Sequence, residues 1–131
     1  MGGGQITGID HVQVAAPRGC EREARAFYGG LLGLPEIEKP GSLARRGGVW
    51  FTVGGEQLHV GVEAEFSPAR KAHPAFRVAT SGRLDEVAAR LVAAGSAVRW
   101  DDGLPGFARF YVDDPWGNRI ELLAPLERGG A

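Results

Sequence analysis

Four side chains of metal-ligating type recur along this chain with a common spacing. His11 and His73 are 62 residues apart, and so are His59 and Glu121. All three histidines of the chain lie on this repeat, and the glycines at 33 and 55 recur at 95 and 117. The shared offset indicates a duplicated module. If two copies of the module pair about a pseudo-twofold axis, imidazole and carboxylate ligands for a divalent ion would converge from four different strands.

The two halves of the sequence predict the same order of elements, strand, helix and then three strands. Period-two patterns predict strands at 6–15, 34–38, 49–53 and 57–63, and helical periodicity predicts a helix at 21–32. The second half predicts strands at 75–79, 97–100, 107–112 and 119–124, with a helix at 84–94. We therefore predict one α+β domain over residues 1–131, with module one at about 6–63, a linker at 64–72 and module two at about 73–125.

Alternation along the strands predicts which face carries the candidate ligands. Side chains of a strand point to opposite faces in turn, so the apolar members mark the face that packs against the helices. These apolar positions are Val12 and Val14, Leu58, Val60 and Val62, Phe76 and Val78, and Ile120 and Leu122. His11, His59, His73 and Glu121 then share the other face. We expect a curled eight-strand mixed sheet around a cavity, with the helices on the outer face.

Composition excludes several classes of protein. The 131 residues carry a formal net charge of −1, so the overall charge does not point toward nucleic acid, whose binders usually carry a basic face. No apolar run reaches the roughly 20 residues that cross a bilayer. Cys20 is the single cysteine, so an internal disulfide is excluded and a reducing, cytoplasmic location is expected. The sequence also lacks a glycine-rich phosphate loop and a serine nucleophile motif, and nothing in it supports NAD binding.

Three segments resemble a known family. The doubled β-α-β-β-β order, residues 10–14 (DHVQV), residues 73–78 (HPAFRV) and residues 114–122 (DPWGNRIEL) are similar to the vicinal oxygen chelate superfamily. That group includes glyoxalase I, methylmalonyl-CoA epimerase, extradiol dioxygenases, fosfomycin-modifying enzymes and bleomycin-binding proteins. The resemblance covers about residues 6–125 and implies a small-molecule substrate or ligand and a homodimer.

The resemblance also implies a set of metal ligands. Family members that use metal take ligands from the first, fourth, fifth and eighth strands, which correspond to His11, His59, His73 and Glu121. Three-ligand members omit the fourth strand, and His59 stands where glyoxalase-like members usually have Glu, so its role as a ligand is left open. Two imidazoles and a carboxylate suit Fe(II) or another octahedral ion, and Fe, Mn, Ni, Co and Zn are all candidates. In the alternative, the repeat persists without metal, as in bleomycin-type binders.

Further residues are candidates for binding substrate. Gln13 shares a face with His11, Glu63 shares one with His59, and Arg77 shares one with His73. Arg77 is the preferred partner for a substrate anion unless it pairs internally with Glu63. Trp50 and Tyr111 lie on strands where they line the pocket or pack in the core. The basic loop containing Lys39, Arg45 and Arg46 either fixes an anion or is solvated. Tyr28 is expected to pack on its helix and at most to contact a second chain.

Three functions are consistent with these residues. The preferred one is a divalent-metal-dependent glyoxalase-like enzyme, of lyase or isomerase type, whose substrate chelates the ion through adjacent oxygens, with Glu121 as base. Because position 59 is His, the two-carboxylate arrangement of glyoxalase I is incomplete. The alternatives are a non-catalytic antibiotic- or metabolite-binding protein of the bleomycin-resistance type and an extradiol-type dioxygenase. The sequence does not identify the substrate.

Overall fold

The computed structural model describes residues 4–127; residues 1–3 and 128–131, the ends of the predicted domain, lie outside this range. Module one contains β1 (His11–Ala16), α1 (Glu21–Ala24) with a π-helical continuation (Arg25–Leu31), β2 (Glu36–Ile37), α2 (Gly41–Ala44), β3 (Val49–Val53) and β4 (Glu56–Val62). Module two contains β5 (Ala75–Arg77), α3 (Ser81–Ala93), β6 (Arg99–Asp101), β7 (Phe107–Asp113) and β8 (Arg119–Pro125). None of the helices within residues 4–127 has the length and hydropathy needed to cross a membrane.

The two modules form sheets of identical topology. The strand orders are β1-β4-β3-β2 and β5-β8-β7-β6. The pairs β1–β4 and β5–β8 are parallel, and the other pairs are antiparallel. The predicted α+β class and the paired βαβββ modules are confirmed. The predicted single curled sheet of eight strands is not formed, because within residues 4–127 no pair of hydrogen-bonded strands joins the two sheets. As a result, β1 and β5 are both edge strands.

A buried hydrogen-bond network connects the modules. The Tyr28 hydroxyl donates to Asp114 Oδ2 at 2.7 Å, and the Asn118 amide donates to Asp114 Oδ2 and to the Ala15 carbonyl, both at 2.8 Å. Asn118 Oδ1 accepts from the Ala69 N–H at 2.9 Å. Burial, followed by the adjacent Asp114, raises the pKa of Tyr28 well above its ordinary value. Tyr28 is therefore buried, as its expected role in helix packing requires, and it is also an internal contact between the modules; at 0% exposure it does not contact a second chain.

Several element boundaries also differ from the sequence prediction. The first strand begins at His11 instead of residue 6 because its partner β4 begins at Glu56. The Asp10 carbonyl still accepts the Gln57 N–H at 3.3 Å, and the residues before Asp10 have no strand beside them. Val12 is 39% exposed instead of packed against a helix. The loop after residue 39 contains the short helix α2. Helix α3 starts at Ser81, ahead of the predicted 84, because the Thr80 hydroxyl accepts the Arg83 N–H and caps it.

Gly48 is required where the chain enters β3. Its φ is +89°, and a Cβ placed on it would lie 2.1 Å from the Val60 carbonyl oxygen. We expect Gly48→Ala to lower the free energy of unfolding by on the order of 3 kcal/mol, since positive φ and a backbone clash add. Gly55→Ala is the matched control, because a Cβ there meets no atom within 4 Å. Urea unfolding measures both, and equal midpoints for the two variants would contradict the prediction.

Candidate metal centre

One cluster of polar and aromatic side chains lies on the helix-free face of the module-two sheet. We call it the module-two cluster; it consists of His73, Arg109, Tyr111 and Glu121. Glu121 is in the middle of β8, with Ala75 of β5 and Tyr111 of β7 as its cross-strand partners. The Glu121 N–H donates to the Pro74 carbonyl at 3.0 Å, which fixes the chain next to His73. His73 Nε2 consequently lies 2.9 Å from Glu121 Oε1.

The hydrogen bonds of His73 determine which nitrogen is available. Its Nδ1 lies 2.9 Å from the Lys71 carbonyl oxygen, which can only accept, so Nδ1 carries a proton. In the neutral ring Nε2 then holds a lone pair that faces the Glu121 carboxylate. Two lone pairs at this distance require a cation between or beside them, either a proton or a metal ion. An imidazole whose outer nitrogen is tied to an oxygen is the usual arrangement of a metal-bound histidine.

Arg109 is the member of this cluster that the sequence interpretation missed. Its Nη1 lies 3.5 Å from Glu121 Oε2, while its Nε and Nη2 donate to Asp101 Oδ1 at 3.1 and 3.0 Å. The guanidinium also lies 5.3 Å from the centre of the Tyr111 ring. Alternation offered the signal, because Arg109 and Tyr111 are two residues apart on β7 and share a face. Arg109 holds one carboxylate oxygen of Glu121, which leaves the other directed at His73.

The second cluster lies on the equivalent face of the first sheet, and we call it the module-one cluster: His11, Gln13, Trp50 and His59. His59 of β4 is paired with Gln13 of β1 and with Trp50 of β3. The Trp50 and His59 rings stack with 3.7 Å between centroids and an interplanar angle of 1°. The His11 ring also stacks on the His59 ring, with 4.2 Å between their centroids. The two imidazoles are thus held face to face.

Each imidazole of the module-one cluster has one nitrogen engaged by an oxygen. His11 Nδ1 lies 2.9 Å from Asp10 Oδ1, and His59 Nε2 lies 2.9 Å from Gln57 Oε1. Burial, and then the neighbouring His11, lower the pKa of His59 below its ordinary value. In its neutral form, a His59 that donates from Nε2 keeps a lone pair on Nδ1, and a His11 that donates from Nδ1 keeps one on Nε2. The chemistry of both rings therefore fits a role as metal ligands.

The two clusters are separate within one chain. Among residues 4–127, no three His, Cys, Asp or Glu side chains are close enough to hold one metal ion. The structure brings His11 to His59 and His73 to Glu121, but it does not bring all four together. Arg77 is exposed on β5 and Glu63 is exposed after β4, and within the described chain no ion pair joins them.

Solved structures share this architecture. A glyoxalase family protein from Bacillus anthracis is 52% identical with a TM-score of 0.87, and the match covers 93% of this chain and 98% of that one. Lactoylglutathione lyase from Agrobacterium tumefaciens is 20% identical with a TM-score of 0.73, covering 92% and 96%. A Listeria monocytogenes fosfomycin resistance protein, in complex with Mn(II) and 1S,2S-dihydroxypropylphosphonic acid, is 21% identical with a TM-score of 0.75, covering 92% and 93%. The last two similarities show the fold alone.

Sequence comparison gives the family. No curated protein matches this chain significantly. The family model for the Glyoxalase/Bleomycin resistance protein/Dioxygenase superfamily matches residues 8–122, which is most of the chain. The recurring offset of 62 residues, the two βαβββ sheets of equal topology and this match agree with one another. The chain belongs to the Glyoxalase/Bleomycin resistance protein/Dioxygenase superfamily.

Proposed function

We propose that this protein is a divalent-metal-dependent enzyme of glyoxalase-like lyase or isomerase type, acting on a small substrate with adjacent oxygens. The observation that carries the proposal is the 2.9 Å approach of His73 Nε2 to Glu121 Oε1 while His73 Nδ1 is tied to the Lys71 carbonyl. The pair thus holds an imidazole nitrogen and a carboxylate oxygen close enough together to bind the same divalent ion.

We further propose that the ligand set is completed between two copies of the chain. Each module contributes two of the four candidate ligands, and the clusters do not meet within residues 4–127. No strand of the described chain pairs with the outer side of β1 or of β5, and exposed edges are usually covered. Ile9 and Val12, beside His11, are 71% and 39% exposed. Pairing β1 of one copy with β5 of the other would bring His11 beside the partner's His73, in a twofold dimer with two equal centres.

The residues of the two clusters have distinct roles in this proposal. A divalent ion bound between them would act as a Lewis acid that stabilises negative charge on a substrate oxygen. Glu121 accepts a proton from the substrate carbon next to that oxygen and can return it to a neighbouring position. Arg109 is a positioning residue, since it holds Glu121 Oε2 and is itself fixed by Asp101. Trp50 and Tyr111 provide aromatic walls that exclude water from the proton transfer.

One observation favours a second candidate, a binding protein without turnover. The Trp50, His59 and His11 rings form a continuous stack with centroid separations of 3.7 and 4.2 Å. A stack of this kind gives planar molecules an aromatic platform whether or not metal is bound. This candidate requires that ligand affinity be unchanged by a chelator, which separates it from the enzyme.

The experiment that tests the proposed function measures metal and proton exchange together. Purified protein is reconstituted separately with Fe(II), Mn(II), Co(II), Ni(II) and Zn(II), and its metal content is determined by plasma mass spectrometry. We expect about one ion per chain for at least one metal, as one open catalytic site requires. Deuterium incorporation from D₂O into hydroxyacetone and related adjacent-oxygen compounds then reports proton abstraction. Absence of metal binding under all five conditions would contradict the proposal.

A substitution beside His59 tests whether this residue is a ligand. Gln57→Leu removes the acceptor that holds His59 Nε2. Loss of such an outer hydrogen-bond partner typically lowers metal affinity by roughly 10- to 100-fold, and we expect a decrease in this range. Gln5→Leu, at an exposed position outside the strands, is the control. Equal metal dissociation constants for the two variants in a competitive chelator titration would show that His59 is not held for metal binding.

A further inference from the structure

A small cavity lies next to the module-one cluster and has no role in the proposed mechanism. It has a volume of about 220 Å³ and lies between the α2 segment and the part of the first sheet that contains Gln13, Trp50 and Gly61. Trp50 and Gln13 form its floor, so it directly adjoins the imidazole stack. Leu43 and Val62 give it an apolar wall, and Lys39 and Arg46 supply two cations. The cavity therefore combines a short apolar surface with positive charge.

The two cations are available to a ligand. Lys39 Nζ donates to the Gly47 carbonyl, which fixes the ammonium and leaves two of its three N–H donors. Within the described part of the chain, Arg46 takes part in no ion pair. The nearby carboxylate of Glu21 is engaged at 2.7 Å by the Gly48 N–H and does not line this cavity. The guanidinium fork of Arg46 matches the two oxygens of a carboxylate.

The cavity is small and opens to solvent. Its volume of about 220 Å³ has room for several waters or for a short chain of non-hydrogen atoms. A larger ligand would extend beyond it. Gly61 preserves the space, because a Cβ at this position would lie 2.8 Å from Gln13 Cδ and push that side chain. A short aliphatic acid fits the size, the apolar wall and the charge.

We propose that this cavity is a subsite for the carboxylate end of a short aliphatic acid, and that the substrate of the adjoining centre is such an anion. The second half of this statement rests on the proposed function, whereas the first half does not. Lys39 and Arg46 bind the carboxylate, Leu43 and Val62 contact the alkyl chain, and Trp50 separates the subsite from His59. The proposed substrate therefore carries a carboxylate in addition to the oxygens that reach the metal.

Anion binding is tested with butyrate and its neutral analogue butyramide on the full chain. The probe signal is the indole N–H resonance of Trp50, assigned with Trp50→Phe, in chelator-treated and Zn(II)-loaded protein. We expect saturable butyrate shifts in both forms, and binding up to about fourfold tighter for each methylene added beyond acetate. Arg46→Gln and Lys39→Gln are each expected to weaken butyrate binding roughly fivefold or more, because charge-assisted hydrogen bonds are lost.

Arg45→Gln is the matched control, since it removes the same charge one residue away and Arg45 does not line the cavity. We expect Arg45→Gln to bind butyrate with native-like affinity, and Arg46→Gln and Lys39→Gln to bind it more weakly. Butyramide binding as tight as butyrate, unchanged affinity in Arg46→Gln and Lys39→Gln, or no Trp50 response in the native protein would each overturn the subsite. These results are independent of metal content, so failure of the subsite and failure of the proposed metal site are distinguishable.

Discussion

Replacing His73 with alanine, or Glu121 with glutamine, is expected to weaken binding of the divalent ion by more than about 100-fold. Loss of an outer partner of a ligand already costs roughly 10- to 100-fold, and these substitutions remove the ligands themselves. His73 Nε2 and Glu121 Oε1 are 2.9 Å apart, and among residues 4–127 no third His, Cys, Asp or Glu side chain is close enough to replace either of them. Metal content and a competitive chelator titration measure the effect, and deuterium exchange into substrate should disappear in parallel.

The matched control for Glu121→Gln is Glu65→Gln, which makes the same chemical change at an exposed position after β4. Circular dichroism and thermal unfolding establish that each variant is folded before its metal content is compared. Glu121 is only 6% exposed, so this check is needed. Metal affinity retained in a folded Glu121→Gln variant would remove this carboxylate from the proposed centre.

Asn118→Ala is expected to lower the free energy of unfolding by about 3 kcal/mol or more. The side chain is 1% exposed and satisfies the Ala15 carbonyl, the Ala69 N–H and the Asp114 carboxylate at once. Each buried group left without its partner costs about 1–3 kcal/mol. Urea unfolding followed by circular dichroism measures the change. A loss under about 1 kcal/mol would show that solvent replaces these bonds and that the network does not hold the modules together.

Tyr28→Phe is the graded comparison for Asn118→Ala. It removes a single hydrogen bond to Asp114, which keeps its bonds from Asn118 and from the Trp116 N–H. We expect a smaller loss, of about 1.5–3 kcal/mol, because the bond is to a charged group. We expect Asn118→Ala to be the more destabilising variant because the Asn118 side chain satisfies three partners, whereas the Tyr28 hydroxyl satisfies one.

The elements of the fold could be predicted because they depend on local pattern. Alternation located β3, β7 and β8, and the helix-ending glycines Gly33 and Gly95 adopt φ values of +77° and +94° in the structure. Only glycine adopts such a backbone conformation at little cost. The offset of 62 residues similarly indicated which residues occupy equivalent positions in the two sheets. These inferences require knowledge of neighbours along the chain and little more.

The packing of the modules could not be predicted in this way. Tyr28 and Asp114 are 86 positions apart, and neither residue type alone signals the other. The sequence therefore predicted one curled eight-strand sheet, whereas the structure has two four-stranded sheets connected by the Tyr28 network. The role of Arg109 was also missed, because it depends on Asp101 of the neighbouring strand β6 as well as on Glu121. Such details arise from tertiary contacts that a periodicity does not encode.

The central claim, that one metal centre uses ligands from two copies of the chain, is tested most directly by subunit complementation. One variant has His11→Ala with His59→Ala, and the other has His73→Ala with Glu121→Gln. Each variant alone should bind little metal, whereas a purified mixed dimer would contain one intact set of four ligands and one empty set. We predict about one ion per mixed dimer, half the content of the native dimer. No recovery of metal in the mixed dimer, or full metal content in either variant alone, would contradict the account.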